Sequence, residues 1–298
     1  MSDILNKFLF DDFAVRGSMI QLDDVWQRAL EHNEYDSSLE SMVGQLMAAT
    51  GLLSASIKFR GQITFQIQSQ AKANAPLRVI VAQGTNQMAL RGVARPNDEY
   101  TGLTPESQNI KDWVGNGQAV ITIRNQEQAK PYQGVVPLEG DSLATVLEGY
   151  FERSEQLPTR LWLVADGKRA AGFMLQRMPG QADNDSDGWN RVVKLAETIK
   201  DEELLSLSAP DLLHRLYHEE DVRLFDPRSV SFNCNGCEQR FVEALTNMGK
   251  DELNSVVAEM GSVDVTCDFC SKVFSYDAVD VEQMFAEAVP VSAGDTQH

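Results

Sequence analysis

The sequence predicts an α+β protein in three parts: an N-terminal mixed α/β-sheet domain, a helical charged linker and a small C-terminal four-cysteine zinc module. Three observations lead to this expectation. Strand-like and helical runs alternate up to residue 178, and the composition becomes acidic and highly charged from residue 179. All four cysteines of the 298-residue chain fall between residues 234 and 270. A chain of this length is sufficient for two domains and a well-buried core.

The first predicted domain, residues 1–178, combines helices with several strands. Apolar residues from Leu39 to Met47 have helical spacing, and Ser37 with Glu40 predicts a capping box ahead of them. Even spacing of apolar residues within 57–68 indicates a strand or hairpin with one buried face. Further strands are predicted at 77–83, 87–95, 118–125, 159–166 and 169–178, and a helix at 142–154.

Residues 179–230 are predicted to form a metastable helical linker. Its first stretch, PGQADNDSDGW, is acidic and is expected to be a loop. Residues 187–221 are compatible with helix but carry only thin apolar stripes, such as Val192, Leu204 and Leu205. A segment with so little apolar surface to bury is marginally stable unless it docks against a neighbour.

The charge and hydropathy of the chain disfavour several classes of partner, although they leave room for a local basic patch. The net charge is -18 and the pI is about 4.6, so the surface repels nucleic-acid phosphates and anionic lipid. No stretch approaches the roughly 18 uninterrupted apolar residues that a membrane span needs. The first residues, MSDILNKFLFDDF, are acidic where a secretory signal is basic. We therefore expect a cytoplasmic protein that binds neither nucleic acid nor membrane.

The strongest functional signal is CNGC at 234–237, followed after 29 residues by CDFC at 267–270. Zinc prefers four ligands in a tetrahedron, and two pairs of thiolates on tight turns supply that geometry. We expect Cys234, Cys237, Cys267 and Cys270 to bind one zinc ion within a module at 231–288. Two structural disulfides or four free thiols are the alternatives. With no cysteine left over and no histidine nearby, the site is closed, which argues against catalytic zinc.

Two functions are open for such a module from its residues. Thiolates that bind zinc react with oxidants, and zinc supplies roughly 10–16 kcal/mol of folding free energy in comparable peptides, so oxidation would unfold the module. A purely structural zinc site is the alternative. Nucleic-acid binding is disfavoured, because residues 231–288 contain 3 basic and 11 acidic residues. The tail, residues 289–298, is expected to be disordered.

Two weaker patterns have simpler interpretations. Asp183, Asp185 and Asp187 match the first half of a calcium-binding EF-hand loop, but position twelve is Lys194 instead of glutamate, so we expect an acidic surface loop. His214 and His218 lie one helical turn apart without an obvious third ligand, which favours a solvated helix face over a metal site.

No signature of an enzyme is present in the sequence. A phosphate-binding P-loop, a GxGxxG turn after a strand, an HExxH helix and a GxSxG elbow are all missing. A thiol–disulfide oxidoreductase would carry CxxC at a helix start in a βαβ unit, whereas here the pair occurs twice at metal-ligand spacing. We expect a protein that is not an enzyme.

Several strings of the chain also resemble the redox-regulated 33-kilodalton heat-shock chaperones of bacteria, the heat-shock protein 33 family. The resemblance covers essentially the whole chain and is carried by ALRGVAR (89–95), GYFERSEQLPT (149–159), GFMLQRMPG (172–180), LYHEEDVRLFDPRSVSFNC (216–234) and VDVTCDFCSKVFSYD (263–277). One departure is the first cysteine pair. The family usually has CxC followed by Ser-Arg-Glu-Arg, and here Cys234-Asn-Gly-Cys237 is followed by Glu-Gln-Arg.

The resemblance implies an ATP-independent holdase that is inactive while reduced and zinc-bound. It implies that oxidation joins Cys267 to Cys270 and Cys234 to Cys237, that zinc leaves and that the linker unfolds. Activated dimers would then hold unfolding client proteins and pass them to the ATP-driven seventy-kilodalton chaperone system. A zinc-stabilised interaction adaptor without redox switching and a thiol–disulfide oxidoreductase are the alternative functions.

Overall fold

The computed structural model describes residues 3–70, 75–97, 100, 109–128, 130–179 and 187–287. These residues fall into two compact units, Met1–Asn233 and Cys234–His298. The first unit thus contains both the predicted N-terminal domain and the described part of the segment predicted as a linker. None of the helices in these ranges combines the length and the apolar composition needed to cross a membrane.

The first unit is built from two sheets and seven α-helices within the described ranges. Its strands are β1 (Ile4–Phe10), β2 (Val15–Leu22), β3 (Gly61–Gln68), β4 (Leu77–Thr85), β5 (Ala89–Pro96), β6 (Gln118–Asn125), β7 (Tyr132–Val136), β8 (Thr159–Ala165), β9 (Ala170–Arg177), β10 (Val222–Leu224), β11 (Arg228–Ser229) and β12 (Ser231–Phe232). Its helices are α1 (Asp24–Leu30), α2 (Ser37–Ser56), α3 (Ile110–Val114), α4 (Leu143–Tyr150), which continues into a π-helical turn Phe151–Glu155, α5 (Gly188–Ala196), α6 (Asp201–Ser206) and α7 (Ala209–Tyr217).

The strands form a first sheet in the order β10-β1-β2-β9-β8 and a second sheet in the order β12-β5-β4-β3-β6-β7. β11 pairs with β1 beside β10, and β12 pairs with β5 in parallel, whereas the other pairs are antiparallel. The segment β10–β12 therefore runs along an edge strand of each sheet. We call residues 222–232 the edge segment.

Helix α2 lies between the two sheets and forms the centre of the larger core. It packs against β2, β8 and β9 of the first sheet and β3, β4 and β5 of the second. Gly51 allows the closest approach, because a Cβ there would lie 2.3 Å from a methyl group of Ile20. The helix is buried on nearly all sides from Met42 onwards, so apart from Glu40 and Gln45 its residues are small or apolar instead of amphipathic in pattern.

The start of α2 differs from the predicted capping box. The N-cap is Asp36, whose carboxylate accepts hydrogen bonds from the backbone N–H groups of Ser38 at 3.0 Å and Leu39 at 3.1 Å. Ser37 is the first helical residue, so the prediction of Ser37 and Glu40 as a capping box is wrong by one position. Aspartate caps a helix as well as serine does, and the sequence offers both side by side.

The predicted strand at 57–68 is shorter in the structure. Ile57 ends α2 and Phe59 lies in the connection, so only Gly61–Gln68 forms strand. Gly61 has φ +145, which allows the chain to turn sharply before it enters the sheet. The predicted strands at 77–83, 118–125 and 159–166 correspond closely to β4, β6 and β8.

Helices α5–α7, from the predicted linker, dock on the first sheet. Alternate residues of a strand point to opposite faces, so β2 directs Ile20 and Leu22 towards α2 and directs Met19 towards the linker helices. Val192, Leu204, Leu212 and other linker residues form a second core with Phe8, Phe10 and Phe173 of the sheet. The thin apolar stripes are therefore buried, against a face rich in phenylalanine.

The second unit contains three helices and one hairpin within residues 234–287. They are α8 (Cys237–Met248), α9 (Lys250–Met260), the hairpin strands β13 (Val263–Thr266) and β14 (Val273–Tyr276), and α10 (Ala278–Glu287). Its apolar core has six buried members: Leu245, Leu253, Val257, Tyr276, Val281 and Met284. The predicted tail at 289–298 lies outside the described residues.

Candidate metal centre

The four cysteines converge on one point of the second unit. Their sulfur atoms all lie within 4.8 Å of one another. The Sγ atoms of Cys234 and Cys267 are 3.5 Å apart, and those of Cys237 and Cys270 are 4.0 Å apart. Four sulfurs bound tetrahedrally at about 2.3 Å from one zinc ion lie about 3.8 Å from each other. The cluster therefore has the dimensions of a four-thiolate metal site.

Each cysteine pair is placed by a tight turn next to regular structure. Cys234 follows β12, and Cys237 is the first residue of α8. Between them, Gly236 has φ +75, and a Cβ added to it would meet no atom within 4 Å beyond its chain neighbours. The turn therefore depends on the backbone freedom of glycine and not on crowding. The positive φ of Gly236 reverses the direction of the chain, which brings the sulfur atoms of Cys234 and Cys237 to the same side of the turn.

The second pair occupies the turn between β13 and β14. Cys267 follows β13 directly, and its backbone N–H donates to the carbonyl of Lys272 at 2.9 Å. Its own carbonyl accepts from the N–H of Ser271 at 2.7 Å, and Ser271 has φ +51. These bonds close a compact knuckle around Cys270, as the flanking strand pattern of VDVTCDFCSKVFSY indicates.

The surroundings affect the individual thiols differently. Burial raises the pKa of the Cys237 thiol, and the neighbouring sulfurs of Cys267 and Cys270 raise it further. Burial also acts to raise the pKa of Cys267, but hydrogen bonds from the backbone N–H groups of Phe269 and Cys270 outweigh it, and the net shift is downward. Donors aimed at a sulfur stabilise the thiolate, which is the form that binds a metal.

The chemistry of the donors fits zinc. Soft thiolates select zinc or similar metals over calcium and magnesium, which prefer oxygen ligands. Cys237 and Cys267 are buried, and Cys234 and Cys270 are partly buried. Within the described ranges these four residues form the only group of three or more histidine, cysteine or acidic side chains arranged to hold a metal ion.

The weaker patterns do not assemble a site in the described ranges. His214 on α7 and His218 directly after it are exposed, with ring centroids 6.0 Å apart, and they belong to no such group. Asp183 and Asp185 lie outside the described residues. Asp187 precedes α5, and Lys194 lies within that helix and pairs with Glu197 at 2.7 Å, so the calcium-loop pattern continues into a helix.

Sequence reasoning missed the polar contacts that fasten the linker helices. Arg191 on α5 forms two hydrogen bonds to the carboxylate of Glu220, at 2.6 and 3.0 Å. The Tyr217 hydroxyl donates to the carbonyl of Val192 at 3.1 Å, and the Gln21 amide donates to two carbonyls at the end of α6. The partners are 25 or more residues apart, so no local pattern signals them.

Comparison with known proteins agrees with this architecture. The family model described as "Hsp33 protein" matches residues 3–277. The chain belongs to the Hsp33 family. A 33 kDa chaperonin of Methylobacillus flagellatus is 42% identical over 100% of this chain and 99% of its own length. One from Nitrosococcus oceani is 43% identical over 99% of both chains.

A solved Hsp33 structure supports the fold. The crystal structure of the 33 kDa chaperonin, a heat shock protein 33 homologue, from Thermotoga maritima matches with a TM-score of 0.79 at 20% identity. The match covers 96% of this chain and 98% of that one. At this identity the likeness shows that the fold is shared. The resemblance seen in the sequence is thereby confirmed at the level of family and fold.

Proposed function

We propose that this chain is an ATP-independent holdase chaperone that is switched on by oxidation. In the reduced state, one zinc ion held by Cys234, Cys237, Cys267 and Cys270 keeps the second unit folded and the chaperone inactive. Oxidation forms the disulfides Cys234–Cys237 and Cys267–Cys270, zinc leaves, and the linker helices detach. The exposed apolar surface then binds unfolding client proteins. A chaperone role is also what the names of its relatives state for those proteins.

The observation that carries this proposal is the convergence of four sulfurs in a unit with a small core. Six buried apolar residues in a stretch of about 50 residues leave little margin over the entropy of folding. Binding of zinc to four thiolates contributes roughly 10–16 kcal/mol in comparable peptides. Losing the ion therefore removes most of what keeps such a unit folded.

The chemistry of the switch balances with peroxide as the oxidant. Each pair of thiols gives up two electrons and two protons to form one disulfide, and the peroxide is reduced to two molecules of water. Two peroxides are consumed when all four thiols react. A sulfur in a disulfide is no longer a thiolate donor, so zinc dissociates as the second pair closes.

The surface that clients would contact is the phenylalanine-rich face of the first sheet. Phe8, Phe10 and Phe173 are at most 2% exposed while α5–α7 cover them. Detachment of these helices would uncover a continuous apolar face, which binds unfolded chains without regard to sequence. We expect active chains to pair as homodimers and to release clients to the ATP-driven seventy-kilodalton chaperone system.

One experiment tests the switch on a single sample. Zinc content, free thiols and suppression of aggregation of a thermally unfolding client are measured before and after peroxide treatment with mild heat. We expect release of one zinc per chain, loss of four thiols and a strong gain in suppression that needs no ATP. Equal suppression by the reduced, zinc-bound chain would refute the proposal.

The alternatives give different results in the same assay. An adaptor held together by zinc would lose function on oxidation and gain none. A thiol–disulfide oxidoreductase would turn over a small disulfide substrate and would lose this activity on Cys→Ser substitution at one pair.

Peptide mapping of the oxidised chain tests the disulfide pairing. The short sulfur–sulfur distances, 3.5 Å for Cys234 to Cys267 and 4.0 Å for Cys237 to Cys270, run between the pairs. We expect bonds within each pair, because its two cysteines are three residues apart on one turn and stay close together when the module unfolds. Bonds between the pairs would contradict the proposed pairing and leave a cross-linked unit.

A further inference from the structure

Five basic side chains gather at one end of the second sheet, in a protein whose net charge is -18. They line two adjoining cavities of about 760 and 630 Å³, which share Arg60, Asn86 and Asn125. We call this region the basic pocket and define it by Lys7, Lys58, Arg60, Arg124 and Arg228.

The pocket is built by three strand ends that the register brings together. Gly61 on β3 pairs with Asn125 on β6, and Gln62 pairs with Thr85 at the end of β4. A Cβ on Gly61 would lie 2.1 Å from the carbonyl oxygen of Arg124, so the sheet closes tightly here. Consequently Arg60 and Arg124 are held at the same rim.

Asn86 links Arg228, on the other side of the basic pocket, to the strand ends that carry Arg60 and Arg124. Its side-chain oxygen accepts from the N–H of Gly61 at 3.0 Å, and its backbone carbonyl accepts from the guanidinium of Arg228 at 2.8 Å. Arg228 belongs to β11, which pairs with β1 of the first sheet. These hydrogen bonds hold the residues that line the pocket in place without a ligand, which lowers the entropic cost of binding.

The charges in the pocket are poorly compensated. Of the thirteen described residues that line the larger cavity none is acidic, although 44 of the 298 residues of the chain are. Among the described residues, Glu127 is the one carboxylate at ion-pair distance from any of the five cations, 3.4 Å from Arg60, and both side chains are well exposed. Burial, Arg228 and Arg16 lower the pKa of the Lys7 amine, as expected where positive charges crowd together.

We propose that the basic pocket binds a small multivalent phosphate anion through the guanidinium groups of Arg60, Arg124 and Arg228, with side-chain amides such as those of Gln62 and Asn125 as further donors. Planar guanidinium groups form paired, charge-assisted hydrogen bonds to phosphate. The strongly negative remainder of the surface repels long polyanions, so a short phosphate chain matches the local site better than a nucleic acid does.

Calorimetric titration of the full-length, reduced, zinc-loaded chain with inorganic triphosphate at low salt tests the proposal. We expect saturable binding that weakens as salt is raised. Arg124→Gln should weaken it about tenfold, since one charge-assisted contact is lost, and the double variant Arg60→Gln with Arg124→Gln should abolish it. Arg78→Gln is the matched control, because Arg78 is exposed at the opposite end of β4, and its affinity should stay within about twofold of wild type.

Further measurements distinguish binding in the basic pocket from binding elsewhere on the protein. The thermal melt shows whether the double variant folds. If it does not, Lys58→Gln, which changes an exposed side chain, is used in its place. We expect this variant to bind triphosphate a few fold more weakly than wild type. Equal affinity for ATP and triphosphate would support recognition of the phosphate chain alone, and tighter binding of ATP would support a nucleotide as its source. The proposal is overturned if triphosphate does not bind, if Arg78→Gln weakens binding as much as Arg124→Gln, or if an acidic peptide or single-stranded DNA binds more tightly than triphosphate.

Discussion

Helix α2 alone buries fourteen of its twenty residues, whereas the whole apolar core of the second unit has six buried members among the residues described. The first unit adds a further core where α5–α7 cover the first sheet. Apolar burial therefore suffices for the first unit, whereas we expect the second to depend on metal binding by its four sulfurs. On the proposed function, the two units differ in what unfolds them: loss of apolar packing unfolds the first, and loss of the metal ion unfolds the second.

The largest effect is expected from removing the metal. A zinc chelator, or Cys267→Ser, should unfold residues 234–287 and release α5–α7, while α2 and the strands on both sides of it stay folded. The expected cost is of the order of the 10–16 kcal/mol that zinc contributes in small modules. Hydrogen exchange resolved along the chain measures both units at once. Ser255→Ala, on the exposed side of α9, serves as the control and should change neither unit. If exchange in the second unit stayed slow after zinc removal, the second unit would not depend on the metal for its folding, and the expected difference between the units would be wrong.

The second effect concerns the linker helices on the first sheet. Leu212 is fully buried there, and Leu212→Ala should weaken docking of α5–α7 by about 2–5 kcal/mol through a lost side chain and the cavity left behind. Exchange protection of residues 188–217 should fall while that of α2 is kept. The control Leu224→Ala changes the same residue type at a site 37% exposed and should cost under about 1 kcal/mol. Equal costs at the two sites would show that the linker is not held by its core.

The third effect tests where α2 begins. Asp36→Ala removes the acceptor for two backbone N–H groups and should lower the unfolding free energy of the first unit by about 1 kcal/mol. Ser37→Ala should be nearly neutral, because Ser37 is inside the helix. Denaturant titration of both variants gives the comparison. A larger loss of unfolding free energy for Ser37→Ala than for Asp36→Ala would instead support the capping box predicted from the sequence.

The smallest effect is a pH dependence in the second unit. Hydrogen bonds from the backbone N–H groups of Asp280 and Val279 lower the pKa of Asp277 below its usual 3.8. A lowered carboxyl pKa stabilises the folded state above that usual value, and the contribution is lost as the pH falls through the folded pKa. In melts of the zinc-loaded chain, Asp277→Asn should reduce the slope of stability against pH below about 4. The exposed Glu259→Gln should leave that slope unchanged.

Local patterns predicted much of the second sheet. β3, β4 and β6 alternate apolar and polar residues or form short apolar runs, and one face of each strand is buried in the larger core. The four cysteines were also recognisable from the sequence, because ligand type and spacing are local properties. Their convergence in space agrees with the spacing.

The rest of the fold depends on contacts that no local pattern reports. β2 is buried on both faces, since α2 covers one and the linker helices cover the other, so it lacks the alternation that marks a half-buried strand. For the same reason β1 and β2 were not predicted. The weakly apolar linker segment is helical where it packs on phenylalanines that are far away in the sequence. Arg191 and Glu220, which are hydrogen-bonded, are 29 residues apart.

The edge segment occupies the outermost backbone positions of two different sheets. Through β10 and β11 it satisfies the N–H and C=O groups of β1, and through β12 it satisfies those of β5. An uncovered strand edge accepts any extended chain by main-chain hydrogen bonding alone. One continuous stretch of chain covers both strand edges. If it detached, β1 and β5 would both expose unpaired backbone groups, and each could pair with an extended segment of an unfolded polypeptide.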